Sequence, residues 1–195
     1  MLVELGKQLK SSCLMFLWLS VLTGLVYPLA VTALGAGLFP QQVRGSLLKR
    51  GDAVVGSALL GQPFTSDRYF HGRPSATAPY PYNAAASSGS NLAPSNPALR
   101  QAVREQAAMQ ARDNPDAPVP MDLATTSASG LDPDISPEAA SYQVTRVAKA
   151  RGLSGQTVAD LVARHTEDRL FGFLGDPRVN VLRLNLALDA LTAAQ

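Results

Sequence analysis

The chain has two imidazoles, His71 and His165, and any hydrolytic chemistry would have to draw its base from one of them or from a carboxylate. His71 lies in Tyr69-Phe70-His71-Gly72-Arg73-Pro74-Ser75, which gathers aromatic rings, an imidazole and a guanidinium just ahead of a proline-rich stretch. A forked guanidinium suits an anionic ligand, and His71 with Asp67 or Arg73 would be the nucleus of an enzyme. The simpler account is structural: the rings enter the core and Arg73 bonds loop carbonyls. Ser87-Ser88-Gly89-Ser90-Asn91 and Ser95-Asn96-Pro97 are dense in the oxygen donors that hard cations prefer. The same residue types close turns and cap helices, which accounts for them without an ion. Asp132, Asp134 and Glu138 are close in sequence, yet no nucleophile stands at a fixed spacing from them. Acidity at a helix start explains Asp134 and Glu138. No Gly-x-Ser-x-Gly elbow, phosphate-binding loop, zinc spacing or dinucleotide fingerprint occurs. No residue is therefore assigned a catalytic or metal-binding role.

The elements that must position these groups are legible in part. Gly51-Asp52 is a turn between apolar stretches, predicting a hairpin with strands near 46 to 49 and 53 to 60. Residues 71 to 97 are punctuated by Pro74, Pro79, Pro81, Pro94 and Pro97 and can sustain neither helix nor strand. A segment of that length is either disordered or an ordered irregular loop with a task. Asn96 and Pro97 predict the start of a helix running to Arg112, and Ser136 and Pro137 predict a second that stops at Gly152. Ser154 caps a third, with Val158, Leu161 and Val162 at helical spacing. Leu153-Ser154-Gly155-Gln156 bears a faint likeness to the signature loop of transporter ATPases, but the cap alone accounts for it. Near the C-terminus Leu182, Leu184, Leu186 and Leu188 alternate like a strand, while Val181, Leu184, Leu188 and Leu191 fit a helix. A short strand at 178 to 181 followed by a helix is the favoured reading.

Residues 11 to 43 contain no charged side chain and include Leu14, Phe16, Trp18 and Leu22. A bilayer core about 30 Å thick needs roughly 20 apolar residues in a helix, and this run exceeds that. It also exceeds the apolar core of a secretory signal, roughly 7 to 15 residues, although the small residues from Ala30 to Ala36 leave a cleaved signal open, and a buried soluble helix is the third reading. Gly24 and Pro28 are tolerated in such a helix, and Gly24 with Ser20, Thr23 and Thr32 offers a small face for a partner helix. The expected division is a short cytoplasmic N-terminus (1–10), a transmembrane helix (11–36) and one mixed α/β (α+β) extracytoplasmic domain (37–195). Positive charge is present on both flanks, so it does not decide the orientation. The chain carries 17 Lys plus Arg against 15 Asp plus Glu, too balanced for nucleic acid to be a partner. Its one cysteine, Cys13, excludes an intrachain disulfide.

In order along the chain stand Gly56-Ser57, Leu60-Gly61-Gln62, Tyr69 to Ala76, Gly89-Ser90-Asn91-Leu92, Ser95-Asn96-Pro97 and Ser129-Gly130-Leu131-Asp132. Gln143, Arg146-Val147-Ala148, Asn180 and Leu184-Asn185-Leu186-Ala187-Leu188 follow. This series resembles the C subunit of the Kdp potassium-transporting ATPase across nearly the whole chain, departing at Ser88, where that family often has glycine. The resemblance implies an accessory, non-catalytic subunit of a potassium import complex, single-pass in the cytoplasmic membrane with its bulk on the outer, periplasmic side. The implied partners are a channel-like potassium-binding subunit, a P-type ATPase catalytic subunit, a further small membrane subunit and the lipid bilayer. ATP and potassium are handled by the complex, with no cofactor held tightly by this chain. The implied role is to stabilise the assembly and, as a catalytic chaperone, to raise the ATP affinity of the catalytic subunit. A nucleotide contact, if the chain makes one, is expected at Gln143, Ser154, Gly155 and Gln156. Interaction surfaces are expected at Gly24, Pro28, Tyr69, Phe70, Arg73, Ser90, Asn91 and Asn96. The competing classes are a membrane-tethered hydrolase and an extracytoplasmic ligand-binding module.

Overall fold

The structure is a computed structural model that describes residues 2–193. The chain divides into two units, one through Leu47 and one from Leu48 onward.

The first unit is a long helix and a short turn. Helix α1 (Leu2–Val21) passes through a π-helical segment (Leu22–Val26) into α2 (Tyr27–Leu38). The stretch Glu4–Leu38 is long and apolar enough to cross a membrane, and none of its most apolar window is buried within the protein. At about 1.5 Å per residue it is longer than a bilayer core of about 30 Å. The π turn has a local cause. Pro28 has no N–H to offer the preceding turn, and the helix widens just before it, with the Tyr27 amide reaching back five residues to the Leu22 carbonyl. Phe39 leaves helical geometry, and Pro40 opens the single turn α3 (Pro40–Val43), whose Val43 packs back on Gly35.

The second unit begins with the hairpin of β1 (Leu47–Arg50) and β2 (Ala53–Ser57), turned at Gly51-Asp52. Strand β2 is shorter than the expected 53–60 because the Ser57 hydroxyl accepts the Leu59 amide at 3.1 Å and closes a turn there. Helices α4 (Pro97–Gln110) and α5 (Met121–Ala124) precede β3 (Asp134–Ile135). Next come α6 (Pro137–Arg151), α7 (Gly155–Arg164), β4 (Thr166–Glu167), β5 (Arg178–Asn180) and α8 (Val181–Ala193). The last three strands form an antiparallel sheet in the order β3-β5-β4, with Ile135 opposite Val179 and Thr166 opposite Val179 on the other edge.

Three caps read from sequence are present. Asn96 accepts the Ala98 amide at 2.9 Å, Ser136 the Ala139 amide at 3.1 Å, and Ser154 the Thr157 amide at 3.1 Å. Gly152 ends α6 in the left-handed region at φ 68°, where a Cβ would be strained. Asp134 corrects an expectation. It does not belong to the first turn of α6 but to strand β3, where its carboxylate accepts from Asn180 Nδ2 at 2.9 Å. The leucine pattern at 181 to 191 resolves as helix, because Leu184 and Leu188 lie on one stripe that meets Val147, Val158, Val179 and Phe70 in the core. The alternation arises because α8 is buried over a broad arc, which takes in Leu182 as well as Leu184 and Leu188 and leaves Leu186 half-buried.

Candidate functional site

Between Ser57 and Pro97 the chain forms no helix and no strand, yet it is held along much of its length. The grip begins with two buried side-chain amides. Asn185 on α8 accepts from the Phe70 amide at 2.9 Å and donates to the Phe70 carbonyl at 3.0 Å. Gln143 on α6 does the same for the next residue, accepting from the His71 amide at 2.8 Å and donating to its carbonyl at 3.1 Å. Gln143 is 0% exposed and Asn185 1%, so these amides replace the strand partner that the backbone lacks there. Neighbouring residues of the loop are thus clamped by two different helices of the core.

Arginines extend the grip upstream. Arg146 Nη1 donates to the carbonyls of Asp67 at 2.8 Å and Tyr69 at 3.0 Å, its Nη2 to Gln143 Oε1 at 2.7 Å, and its Nε lies 2.7 Å from Asp113 Oδ2. Arg151 donates to the Arg68 carbonyl at 2.6 Å, stacks over the Tyr69 ring at 4.8 Å from its centroid, and pairs with Asp189 at 2.8 Å. Asp189 also receives Arg50 from the hairpin and the Tyr69 hydroxyl. Burial alone would raise the Asp189 carboxyl, but hydrogen bonds from Arg151, Arg50 and Tyr69 outweigh it and hold the group below the usual carboxylate range.

Downstream, Arg73 donates to Asp132 at 3.2 Å and to the Thr126 carbonyl at 3.3 Å. The Tyr82 hydroxyl donates to the Arg73 carbonyl at 2.6 Å, and burial pushes that phenol up to about 12. Ser75 Oγ donates to the Gly130 carbonyl at 2.7 Å and accepts the Tyr82 amide at 2.9 Å. Thr77 accepts the Asn83 amide at 3.0 Å, and Ser87 reaches the Ser129 carbonyl at 2.9 Å. Gly89 lies against the Ala128 backbone so closely that a Cβ there would sit 2.7 Å from the Ala128 oxygen. The loop is thus laced to the 125–132 segment. A cleft of about 420 Å³ opens beside it, between Phe64, His71, Arg73 and Tyr82 on the loop and Gln106 and Gln110 on α4.

The expected site residues fall into separate places. Gly24 lies in the π segment with nothing within 4 Å of a built Cβ, and Pro28 is in the first turn of α2. Phe70 is fully buried in the core of the second unit, and Tyr69 and Arg73 are turned inward to Asp189 and Asp132. Ser90 and Asn91 are exposed, and Asn96 is the half-buried cap of α4. Every polar atom of the Gln143 amide is bonded within the protein, its Nε2 also reaching the Ala139 carbonyl at 3.2 Å. Ser154 caps α7, Gly155 is its first residue, and Gln156 bonds Asp160 at 2.7 Å. These four residues are not brought together around one pocket.

Among the described residues the hydrogen bond of the His71 imidazole goes to the backbone. Its Nε2 lies 3.2 Å from the Ser66 carbonyl, and Arg73 goes to Asp132 instead. Burial, then the Arg146 charge, pulls the His71 imidazole below its ordinary value. Among the described residues no group of three or more His, Cys, Asp or Glu is arranged to hold a metal ion. Sequence reasoning missed the clamp role of Asn185 and the Arg151–Asp189–Tyr69 cluster. The signal for Asn185 was an amide standing on the core stripe of an otherwise leucine-rich helix, where a polar group must find buried partners.

Comparison with known proteins agrees with the family resemblance. The family model described as KdpC, K+-transporting ATPase, c chain, matches residues 9–190. A potassium-transporting ATPase KdpC subunit of Rhodopseudomonas palustris (strain BisB18) is 57% identical over 195 residues, covering 94% of this chain and 98% of its own. Those of Methylococcus capsulatus (strain ATCC 33009 / NCIMB 11132 / Bath) and Variovorax paradoxus (strain S110) are 60% and 58% identical, covering 93% and 96% of this chain and 97% and 98% of theirs. The match takes in nearly the whole chain, and the chain belongs to the KdpC family of K+-transporting ATPase subunits.

Proposed function

We propose that the second unit is a preformed docking piece of a potassium import complex: it lies on the outer side of the cytoplasmic membrane, performs no catalysis, and caps the channel-like subunit while stabilising the assembly with the P-type catalytic subunit and the small membrane subunit. The observation that carries this reading is the laced loop. A long segment without secondary structure is fixed by buried amides and arginines on one side, while Ala84 to Ser88, Ser90 and Asn91 face outward. Side chains already fixed lose little freedom on association, so such a surface binds without a large ordering cost.

With the second unit outside, a bilayer core of about 30 Å separates Gln143 and Ser154 to Gln156 from cytosolic ATP. A rise in ATP affinity is then a coupling free energy, produced by contacts that differ between pump states rather than by nucleotide contact. The saturated amide of Gln143 and the capping role of Ser154 support that indirect route.

The test is Ala85→Arg with Ser90→Arg, which adds bulk and charge to the outward face while leaving the hydrogen-bonded side chains in place. Expressed with its partners and purified in mild detergent, the variant should enter the membrane at normal level but lose complex recovery and potassium-stimulated ATPase activity. Normal recovery with normal uptake would refute the docking role.

A further inference from the structure

Where the long helix of the first unit ends, the chain turns a fixed corner at Phe39-Pro40. Phe39 closes α2 with its amide on the Gly35 carbonyl at 2.7 Å, and the Val43 amide closes α3 on the Phe39 carbonyl at 3.1 Å. Beyond it the Gly45 amide donates to the Gln42 carbonyl at 2.9 Å and the Ser46 amide to the Gln41 carbonyl at 3.0 Å, a paired stop that uses the left-handed φ of 83° at Gly45. Val43 Cγ2 stands 3.2 Å from the point a Cβ on Gly35 would occupy, so α3 doubles back beside the last turn of α2 instead of leading straight away from it. The corner has two characters. Leu38, Phe39 and Val43 are 70%, 56% and 51% exposed, and Gln41, Gln42 and Arg44 are exposed beside them.

We propose that this corner lies in the headgroup layer at the α2 end of the span, and that Arg44 holds the phosphate of an anionic phospholipid there. The site rests on the membrane-spanning reading of Glu4–Leu38, and every group in it belongs to the same unit as that helix. Helix length sets the depth. Lys10 is the last charge before the uncharged run and Arg44 the first after it. From Lys10 to Leu38 the helix rises about 42 Å, more than a hydrocarbon core of about 30 Å and matching a bilayer with its headgroups, about 40–45 Å. With Lys10 among the headgroups of one face, the corner arrives among those of the other. Water alone leaves the three apolar side chains unburied, and hydrocarbon alone strands Gln41, Gln42 and a charge; the boundary accommodates both.

Charge selects the ligand. Among the described residues the Arg44 guanidinium has no hydrogen-bond or ion-pair partner, whereas Arg50, Arg73, Arg146 and Arg151 are each tied to a carboxylate. The first unit has one acidic side chain to offer, Glu4, and it pairs with Lys7 at 3.1 Å at the opposite end of the helix. A partner for Arg44 therefore comes from outside the unit. At headgroup depth the abundant acceptor is the phospholipid phosphate, whose oxygens a planar guanidinium can grip two at a time. The uncompensated positive charge favours a lipid of net negative charge over a zwitterionic one. The stop at Gly45 and the contact of Val43 with Gly35 fix the backbone on either side of Arg44, so the guanidinium is presented from a set point beside the helix end.

The full chain has one tryptophan, Trp18 in α1, which reports the span. Trp18→Phe with Phe39→Trp moves the fluorophore to the corner. Each chain is reconstituted in mixed vesicles of phosphatidylcholine and phosphatidylglycerol, with brominated acyl chains carried by one lipid or by the other at equal mole fraction. Trp18 should be quenched by brominated lipid, and its failure to be quenched would overturn the membrane-spanning reading and the site with it. The corner tryptophan should be quenched as well, with brominated phosphatidylglycerol occupying its surroundings about five-fold more readily than brominated phosphatidylcholine. Adding Arg44→Gln should abolish that preference, and adding Arg44→Lys, which keeps the charge but not the fork, should retain part of it. Three results overturn the site while Trp18 quenching leaves the span standing: equal quenching by the two lipids with Arg44 in place, a preference that survives Arg44→Gln, or a corner tryptophan that neither lipid quenches, because water or protein would then be its cover.

Discussion

Asn185→Leu tests the central claim that buried amides, not secondary structure, hold the long loop in place. Leucine keeps nearly the same volume in α8 and adds apolar contact, so packing loss is small. What is lost is the pair of bonds to Phe70 N–H and C=O, at 2.9 and 3.0 Å. Phe70 is 0% exposed, so water does not reach its backbone to replace them. A buried polar group stranded without a partner costs about 1–3 kcal/mol, and two groups cost about 2–6 kcal/mol. A middle value of about 4 kcal/mol corresponds to a fall in Tm of roughly 8–16 °C for a unit of this size. The substitution is made in the full chain in detergent, with thermal unfolding followed by tyrosine fluorescence and amide exchange read at Phe70. Exchange at Phe70 should accelerate more than at Val147 or Val158, which share the core but not the clamp. A loss under about 1 kcal/mol, or a Phe70 amide that still exchanges as slowly as its neighbours, would refute the clamp as the loop's anchor.

Two further predictions concern the same scaffold. Tyr82→Phe removes the donor to the Arg73 carbonyl and should destabilise the second unit by about 1–3 kcal/mol, seen as a lower denaturant midpoint with an unchanged slope. Asp189 has a carboxyl held below its usual range, so the unfolded chain binds its proton more readily than the folded one. The stability it contributes is complete above the unfolded value of about 3.9 and is lost as pH falls from there through the lower folded value. Asp189→Asn should lower stability at neutral pH and flatten the acid limb of a Tm-against-pH curve; an unchanged acid limb would remove the cluster from the account.

Much of the architecture is readable from local chemistry. The caps at Asn96, Ser136 and Ser154 and the stop at Gly152 follow from a few consecutive residues, and the structure has them where the sequence puts them. The loop's lack of regular structure is equally plain from its prolines. Its choice between disorder and order is not, because the deciding partners, Gln143 and Asn185, lie far along the chain and only the fold brings them to His71 and Phe70. Tyr69, Phe70 and Arg73, whose simpler account in sequence is structural, form the anchored part of the loop. Asp134 departs from the expected helix start because helix-start acidity is a local rule, while its partner Asn180 is on a strand that the rule does not see.

The clamp also sets an order of events during synthesis. Phe70 and Asn185 are 115 residues apart, so at about 5–20 residues per second the ribosome makes Phe70 roughly 6–23 seconds before its partner exists. Throughout that interval the two bonds that hold the Phe70 backbone cannot form. Its serine-, alanine- and proline-rich composition makes the wait harmless, since it offers neighbouring chains little apolar surface and no strand to pair with. The clamp on Phe70 therefore closes only in a chain whose α8 has been made and packed.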